Sequence, residues 1–123
     1  MQAVWIEFPV KDLDRAMAFY QTVFDLQPTE IVDDGVRRTT TLVSMTPESG
    51  SPGISLNQTV NFEPSNNGAY VYLDVGPDLT PNLARVVAAG GTVVAPKTSM
   101  GSAGNYATVL DTEGNLLGLY SYG

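Results

Sequence analysis

Residues 4–24, VWIEFPVKDLDRAMAFYQTVF, decide the fold, because they read as a strand, a tight turn and an amphipathic helix. In the strand, a mixed face alternates with an aliphatic face made of Val4, Ile6, Phe8 and Val10. Residues 70–91, YVYLDVGPDLTPNLARVVAAGG, repeat the order of strand, Asp-Leu turn and helix. Asp12 and Thr80 are the predicted N-caps of the two helices. The chain is therefore predicted to contain two copies of one unit.

Each unit continues into three more predicted strands, which gives the order β-α-β-β-β. These strands are expected at 29–32, 36–45 and 53–60 in the first unit and at 91–95, 106–110 and 116–121 in the second. A turn is predicted at 46–53, and the loop 97–105 is expected to be a mobile lid or a simple connection. The sequence thus predicts one α+β domain over residues 1–123, with one main helix per module: module one at 1–60, a polar linker at 61–68 and module two at 69–123.

The composition limits the classes of function. At 123 residues and 43% apolar content, the chain suits one compact domain. Thirteen acidic residues against six basic ones give a formal charge of −7, which repels nucleic acid and anionic lipid surfaces. Cysteine is absent, and no apolar run is long enough for a signal peptide or a membrane span. We therefore expect a cytoplasmic protein with no nucleic-acid or membrane partner.

The mixed faces of the strands carry most of the aromatic residues. Aligned on their strand-to-helix turns, the two units place Trp5 on Tyr70, Glu7 on Tyr72 and Ser55 on Gly118. If both mixed faces turn toward a shared concavity, its walls are aromatic, and the rings in inward phase are Trp5, Tyr70, Tyr72, Tyr106 and Tyr120. These residues are candidates for binding a small molecule. The alternative is that the rings only fill the interior.

Two carboxylates join the aromatic candidates. Glu7 is predicted beside Trp5, where it would act as a general base or bind a cation. The alternative is that Glu7 is solvated or paired with a basic residue, the candidates being Arg37, Arg38 and Lys97. Asp74 is a second ligand-binding candidate, although its position before Gly76 and Pro77 equally suits a cap of that turn.

Four segments together carry a recognisable family pattern, namely PVKDLDRAMAFYQTVFDL, GAYVYLDV, RVVAAGGTVVAPK and YATVLDTEGNLLGLYS. The chain resembles the vicinal oxygen chelate superfamily, which includes glyoxalase I, extradiol dioxygenases and bleomycin-resistance proteins. The likeness is greatest to small glyoxalase-related bacterial members. The resemblance implies paired β-α-β-β-β modules whose mixed sheet curves into a barrel-like shape, assembled as a homodimer.

The resemblance also implies where a metal would be held. Enzymes of the superfamily place a divalent metal between His, Glu or Gln side chains on the first and last strands of each module. Those positions fall on Trp5, Ser55, Tyr70 and Gly118. None of the four suits a metal, and the chain has no histidine, so we expect neither a metal site nor a cofactor. A hard ion held by Glu7 and Asp74 would have too few oxygen ligands for strong binding.

Three functions therefore stay open. The preferred hypothesis is a metal-independent small-molecule-binding protein of the glyoxalase/bleomycin-resistance type, with an aromatic or cationic ligand in an aromatic-lined cavity. The first alternative is a glyoxalase-like lyase or isomerase with Glu7 as its catalytic general base. The second alternative is a protein-interaction module whose cavity is vestigial and filled. The same residues serve the first two hypotheses, so only their placement separates them.

Overall fold

A computed structural model describes residues 1–46, 48 and 50–123 of the protein. The predicted turn at 46–53 includes Pro47 and Ser49, which lie outside the described residues. The first module consists of β1 (Trp5–Pro9), α1 (Leu13–Phe24), β2 (Val32–Asp33), β3 (Arg37–Val43) and β4 (Gly53–Thr59). Its strands form one sheet with the order β1-β4-β3-β2. Strand β1 runs parallel to β4, and the other pairs are antiparallel.

The second sheet repeats this topology with the order β5-β8-β7-β6. Its elements are β5 (Tyr72–Asp74), α2 (Thr80–Ala88), β6 (Thr92–Ser99), β7 (Asn105–Leu110) and β8 (Leu116–Ser121). Strand β5 runs parallel to β8, as β1 does to β4. The predicted α+β fold of two β-α-β-β-β modules is therefore confirmed.

The two helices begin with different caps. Asp12 caps α1 as predicted, because its Oδ1 accepts the Arg15 backbone N–H at 3.1 Å. The prediction for α2 is wrong, since Thr80 is already the first helical residue and Leu79 at the N-cap makes no side-chain bond. Asp78 takes the capping role instead and accepts the Thr80 N–H at 2.9 Å.

Two predicted strand boundaries also differ from the structure. The strand expected at 29–32 is reduced to the two-residue β2. Conversely, β6 continues beyond residue 95 through Pro96 to Ser99, which occupies the first part of the loop expected at 97–105. Because β6 is an edge strand with shifted register around Pro96, the missing proline N–H removes no ladder bond from a central strand. A single 3₁₀ turn, Gly101–Ala103, completes that connection.

The core lies on the helix side of both sheets. Fully or almost fully buried apolar side chains come from α1, from the strands of both modules and from α2, and include Leu13, Phe19, Tyr20, Val23, Leu56, Leu79, Val86, Val109, Leu117 and Leu119. The rows facing away from the helices carry the candidate binding residues. Among the described residues, neither helix has the length and apolar content needed to cross a lipid bilayer.

The turn between β7 and β8 joins the two modules through buried polar groups. The Glu113 carboxylate accepts five hydrogen bonds, at 2.7–3.0 Å, from the backbone of Lys11 and Asp12, two guanidinium nitrogens of Arg15 and the Thr112 hydroxyl. Burial acts to raise the pKa of Glu113, yet these donors, led by Arg15, lower it to about 2. The carboxylate therefore stays charged between the modules.

A second bridge in the same turn involves a buried tyrosine. The Tyr20 hydroxyl of α1 donates to Asp111 Oδ2 at 2.7 Å. Burial and the neighbouring carboxylate raise the pKa of Tyr20 well above its ordinary value. The Asn115 amide completes the junction by donating to the Pro9 carbonyl at 2.8 Å. Asp111 and Glu113 lie between the predicted strands at 106–110 and 116–121, and the sequence does not predict their contacts because the partners are 91 to 102 residues away in the chain.

Candidate ligand-binding site

The helix-free face of the first sheet presents an indole ring above a glycine. Trp5 pairs with Gly53 across the parallel ladder, and a Cβ built on Gly53 would overlap the Trp5 ring. The ring therefore lies flat over the Gly53 backbone, a position that only glycine permits. Trp5 remains 44% exposed, so its outer face is open to solvent.

Glu7 lies beside this indole, on the same face of β1. Its carboxylate accepts the Trp5 Nε1–H at 3.3 Å, the Ser55 hydroxyl at 3.4 Å and the Asn57 amide at 3.4 Å. All three distances are at the long end of the hydrogen-bond range, so each bond is weak. The side chain is exposed, in agreement with the alternative of a solvated Glu7.

The predicted ion pairs of Glu7 are wrong, because the three basic residues have other partners. Arg37 lies 3.8 Å from Asp34, Arg38 lies 3.8 Å from both Asp33 and Asp14, and Lys97 lies 2.9 Å from Asp78. Among the described residues, no basic side chain forms an ion pair with Glu7. The negative charge beside Trp5 is thus balanced only by weak neutral donors.

Asn57 is a residue that sequence reasoning placed on the mixed face of β4 but did not single out. Its side chain is 3% exposed, and Nδ2 points to Glu7. Its Oδ1 is buried and has no hydrogen-bond partner among the described residues. Such an atom is rare in folded proteins and requires an explanation. In the sequence, Asn57 is recognisable only as an amide on the same face of β4 as Ser55, which pairs with Glu7.

The helix-free face of the second sheet carries a cluster of four rings, here named the tyrosine surface: Tyr70, Tyr72, Tyr106 and Tyr120. Tyr70 and Tyr72 stack with centroids 6.0 Å apart, and Tyr72 meets Tyr106 edge-on at 6.5 Å. Tyr106 pairs with Tyr120 across the antiparallel ladder. Tyr70 and Tyr72 are 56% and 51% exposed, so the surface is open.

The two faces share one construction. The Tyr72 ring covers Gly118 as Trp5 covers Gly53, because a Cβ on Gly118 would overlap that ring. The ladders pair Glu7 with Ser55 and Tyr72 with Gly118, in agreement with the alignment of the two units. The ring over Gly118 therefore lies two positions further along its module than the ring over Gly53. Each module thus exposes an aromatic ring on its first strand, held against a glycine of its last strand.

The five candidate rings, Trp5 and the four rings of the tyrosine surface, line none of three clefts found in the described part of the molecule. The largest of these, about 580 Å³, lies on the helix side between the modules, and its lining includes Tyr20, Leu42, Leu73 and Arg85. A cleft of about 470 Å³ lies beside Arg37 and Phe62, and one of about 320 Å³ includes Glu7 in its lining. The aromatic residues instead form open surfaces on the helix-free faces.

Asp74 and Tyr120 are neighbours in the β5–β8 ladder but have separate contacts. Asp74 Oδ1 accepts the Gly76 N–H at 2.9 Å, which is the turn cap considered as an alternative. The Tyr120 hydroxyl donates to the Ala103 carbonyl at 2.7 Å and ties the 3₁₀ turn to the edge of the tyrosine surface. Asp74 therefore contributes to the local backbone, at the margin of the rings.

The fold and the sequence together define the class of protein. The model of the Glyoxalase/Bleomycin resistance protein/Dioxygenase superfamily matches residues 2–119. The chain therefore belongs to this superfamily, and the resemblance seen in the sequence is confirmed.

Solved structures with the same fold cover nearly the whole chain. A glyoxalase/bleomycin resistance protein/dioxygenase family enzyme from Burkholderia phytofirmans PsJN is 21% identical, with a TM-score of 0.73 and coverage of 100% of both chains. The hypothetical protein SA1046 from S. aureus is 19% identical, with a TM-score of 0.72 over 98% of this chain and 94% of that one. Glyoxalase I from Zea mays is 16% identical with a TM-score of 0.74, over 98% of this chain and 44% of that one. No curated protein matches the sequence.

The residues at the superfamily's metal positions do not fit a transition metal. Trp5 offers a donor and no acceptor, Gly118 has no side chain, and Ser55 and Tyr70 are neutral hydroxyls. Among the described residues there is also no group of three His, Cys, Asp or Glu side chains that could hold an ion. The side chains at these four positions thus differ in chemistry from a chelating set.

Proposed function

We propose that the protein is a metal-independent, cytoplasmic small-molecule-binding protein of the glyoxalase/bleomycin-resistance type. Its ligand is an aromatic or cationic molecule that rests on the rings of the helix-free faces. The observation that carries this proposal is the tyrosine surface, whose two outer rings are more than half exposed although they stack on each other.

Exposed, mutually packed rings are suited to binding for two physical reasons. Large contiguous apolar surface in contact with water is unfavourable, so covering it with a ligand releases free energy. The negative π faces of tyrosine also attract cations, and the formal charge of −7 favours cations over anions. Preorganisation adds to both, because Tyr72 is already held against Gly118.

The test uses trimethylphenylammonium, an aromatic cation without N–H donors, in calorimetric titrations. We expect the Tyr72→Ala variant to lose about fivefold or more in affinity, because cation–π and stacking contacts disappear. Tyr122→Ala is the matched control, since Tyr122 is 65% exposed and lies outside the tyrosine surface. Equal losses in both variants, or no binding to the wild type, would contradict the proposal.

A second candidate function, a lyase or isomerase with Glu7 as general base, is favoured by the exposed carboxylate without a basic partner among the described residues. A base must be reachable by substrate and able to accept a proton, and Glu7 meets the first condition. If any turnover is detected, Glu7→Gln must abolish it. Full retention of turnover in this variant rules out Glu7 as the general base.

Homodimer formation belongs to the same proposal, because a second copy would enclose open faces that one chain leaves exposed. The exposed rings Trp5, Tyr70 and Tyr72 are the part of the surface that most needs a cover. Light scattering is expected to give twice the 13.1 kDa mass of one chain. A mass of one chain at micromolar concentration contradicts a stable dimer.

A further inference from the structure

We propose that the cleft between the two modules binds an apolar carboxylic acid, with its carboxylate at Arg85 and its carbon chain between the side chains of both modules. This second site is separate from the rings of the helix-free faces, because the cleft lies on the helix side of the sheets. Its volume of about 580 Å³ is within the usual range of small-molecule pockets. The cleft can therefore enclose a chain of several carbons.

The walls of this cleft are apolar and come from both modules. Phe24 and Ile54 belong to the first module and Leu73 to the second, and all three are only partly buried. Apolar walls that remain in contact with water favour an apolar ligand that covers them. The Asn82 amide donates to the Val23 carbonyl at 2.8 Å and holds α2 against the end of α1. The walls are thus in place before a ligand enters, which lowers the cost of binding.

Arg85 is the basic residue in the lining of this cleft. Its side chain is exposed and makes neither an ion pair nor a hydrogen bond with the part of the chain that the structure describes. The aliphatic part of an arginine packs on apolar surface while the guanidinium stays at the boundary with water, which suits the mouth of an apolar cleft. The guanidinium can donate two parallel, charge-assisted hydrogen bonds to one carboxylate. Arg85 therefore selects an anionic group at this end of the cleft.

The two acids of the lining lie before the start of α2, whereas Arg85 lies in its last turn. Asp74 caps the turn that follows β5, and Asp78 accepts the Thr80 N–H and pairs with Lys97, both at 2.9 Å. Arg85 comes five residues after the first residue of α2, which places it roughly 7.5 Å further along the helix axis. A carboxylate bound at Arg85 is thus kept apart from both acids, and the apolar walls lie between the two ends.

The experiment compares octanoate with octanamide, which has the same chain length and no charge, in calorimetric titrations. We expect octanoate to bind about tenfold more tightly, because its carboxylate alone forms charge-assisted bonds with Arg85. This preference is expected to be lost in Arg85→Gln, because the formal charge of −7 otherwise disfavours an anion. Arg37→Gln is the matched control, since it removes an exposed positive charge outside the cleft and is expected to keep the preference.

Two further measurements test the carbon chain and the position of the site. From butanoate to octanoate, the affinity is expected to rise about threefold per methylene, because each added group leaves water. Octanoate is also expected to leave the fluorescence of Trp5 unchanged and to bind Tyr72→Ala as tightly as the wild type. Both rings lie on the helix-free faces and outside the lining of this cleft.

Equal affinity for octanoate and octanamide, or a preference that survives in Arg85→Gln, overturns this inference. No binding of octanoate overturns it as well, whether a second copy of the chain covers the cleft or the cleft takes a neutral ligand. A loss of affinity in Tyr72→Ala would place the bound octanoate on the tyrosine surface and contradict the second site. The proposed function is tested separately, because it depends on the binding of trimethylphenylammonium.

Discussion

At the level of single residues, Glu113 and Glu7 differ in how completely their carboxylates are hydrogen-bonded. Glu113 has five donors at 2.7–3.0 Å, including the Arg15 guanidinium. Glu7 has three at 3.3–3.4 Å and no basic partner among the described residues. The first carboxylate is fully used in joining the modules, whereas the second has only long, weak hydrogen bonds and is exposed to solvent.

The Glu113→Gln variant is expected to lose about 2 kcal/mol of unfolding free energy, because charge-assisted bonds to buried oxygens become neutral or are lost. The pH dependence follows from the lowered pKa. A carboxyl whose pKa falls from 4.5 to about 2 on folding stabilises the protein above pH 4.5, and this contribution disappears as pH falls toward 2. Urea unfolding at several pH values measures both effects.

In Glu113→Gln, the unfolding free energy is expected to fall less between pH 4.5 and 2 than in the wild type, because the contribution of the Glu113 carboxyl is absent. Glu30→Gln serves as the control, because the Glu30 side chain is exposed and such surface substitutions change the unfolding free energy little. A Glu113→Gln protein as stable as the wild type, with the same acid profile, would show that the junction is not held by this carboxylate.

At the level of elements, β1 has one face that packs in the core and one face that is exposed, because successive side chains point to opposite sides of the strand. Phe8 faces α1 and is 6% exposed, whereas Trp5 on the other face is 44% exposed. The period-two pattern predicted these faces correctly, because it follows directly from strand geometry. The pattern could not show that Trp5 lies flat on Gly53, since that contact depends on the register between β1 and β4.

Gly53→Ala is expected to displace the indole, because a Cβ at this position overlaps the Trp5 ring and comes within 3.2 Å of the Met45 backbone nitrogen. The expected result is a shift of Trp5 fluorescence to longer wavelength, because the displaced indole becomes more exposed to water. Gly35→Ala is the control, because a Cβ on Gly35 meets nothing within 4 Å, although its φ of +85° strains the turn. Unchanged emission in Gly53→Ala would contradict the stacked geometry.

Sequence reasoning was least successful where an element depends on its neighbours. Proline usually closes a strand, so the sequence predicts that β6 ends at residue 95. In the structure β6 continues to Ser99, because an edge strand tolerates Pro96. The cap of α2 was assigned to Thr80 because Thr-Pro is a common start, whereas Asp78 provides it. In both cases the sequence predicts the correct element, and contacts with other parts of the chain shift its end by a few residues.

At the level of the whole molecule, the internal repeat and the family pattern were enough to predict two β-α-β-β-β modules. The candidate rings and Glu7 were also placed on the correct faces, because each lies in a strand of regular alternation. The contact of Asn57 with Glu7 and its unpartnered buried oxygen were not predicted, since both depend on how β4 lies beside β1 and β3 among the described residues. The modular junction at Glu113 was missed for the same reason.

In the proposed function, the aromatic rings of the helix-free faces bind the ligand and no metal takes part. The most direct test is a calorimetric titration of trimethylphenylammonium into protein dialysed against a metal chelator, then repeated with added Zn²⁺, Ni²⁺ or Mg²⁺. We expect the same affinity in all four titrations. Binding that is lost after chelation and restored by one of the metals would contradict it.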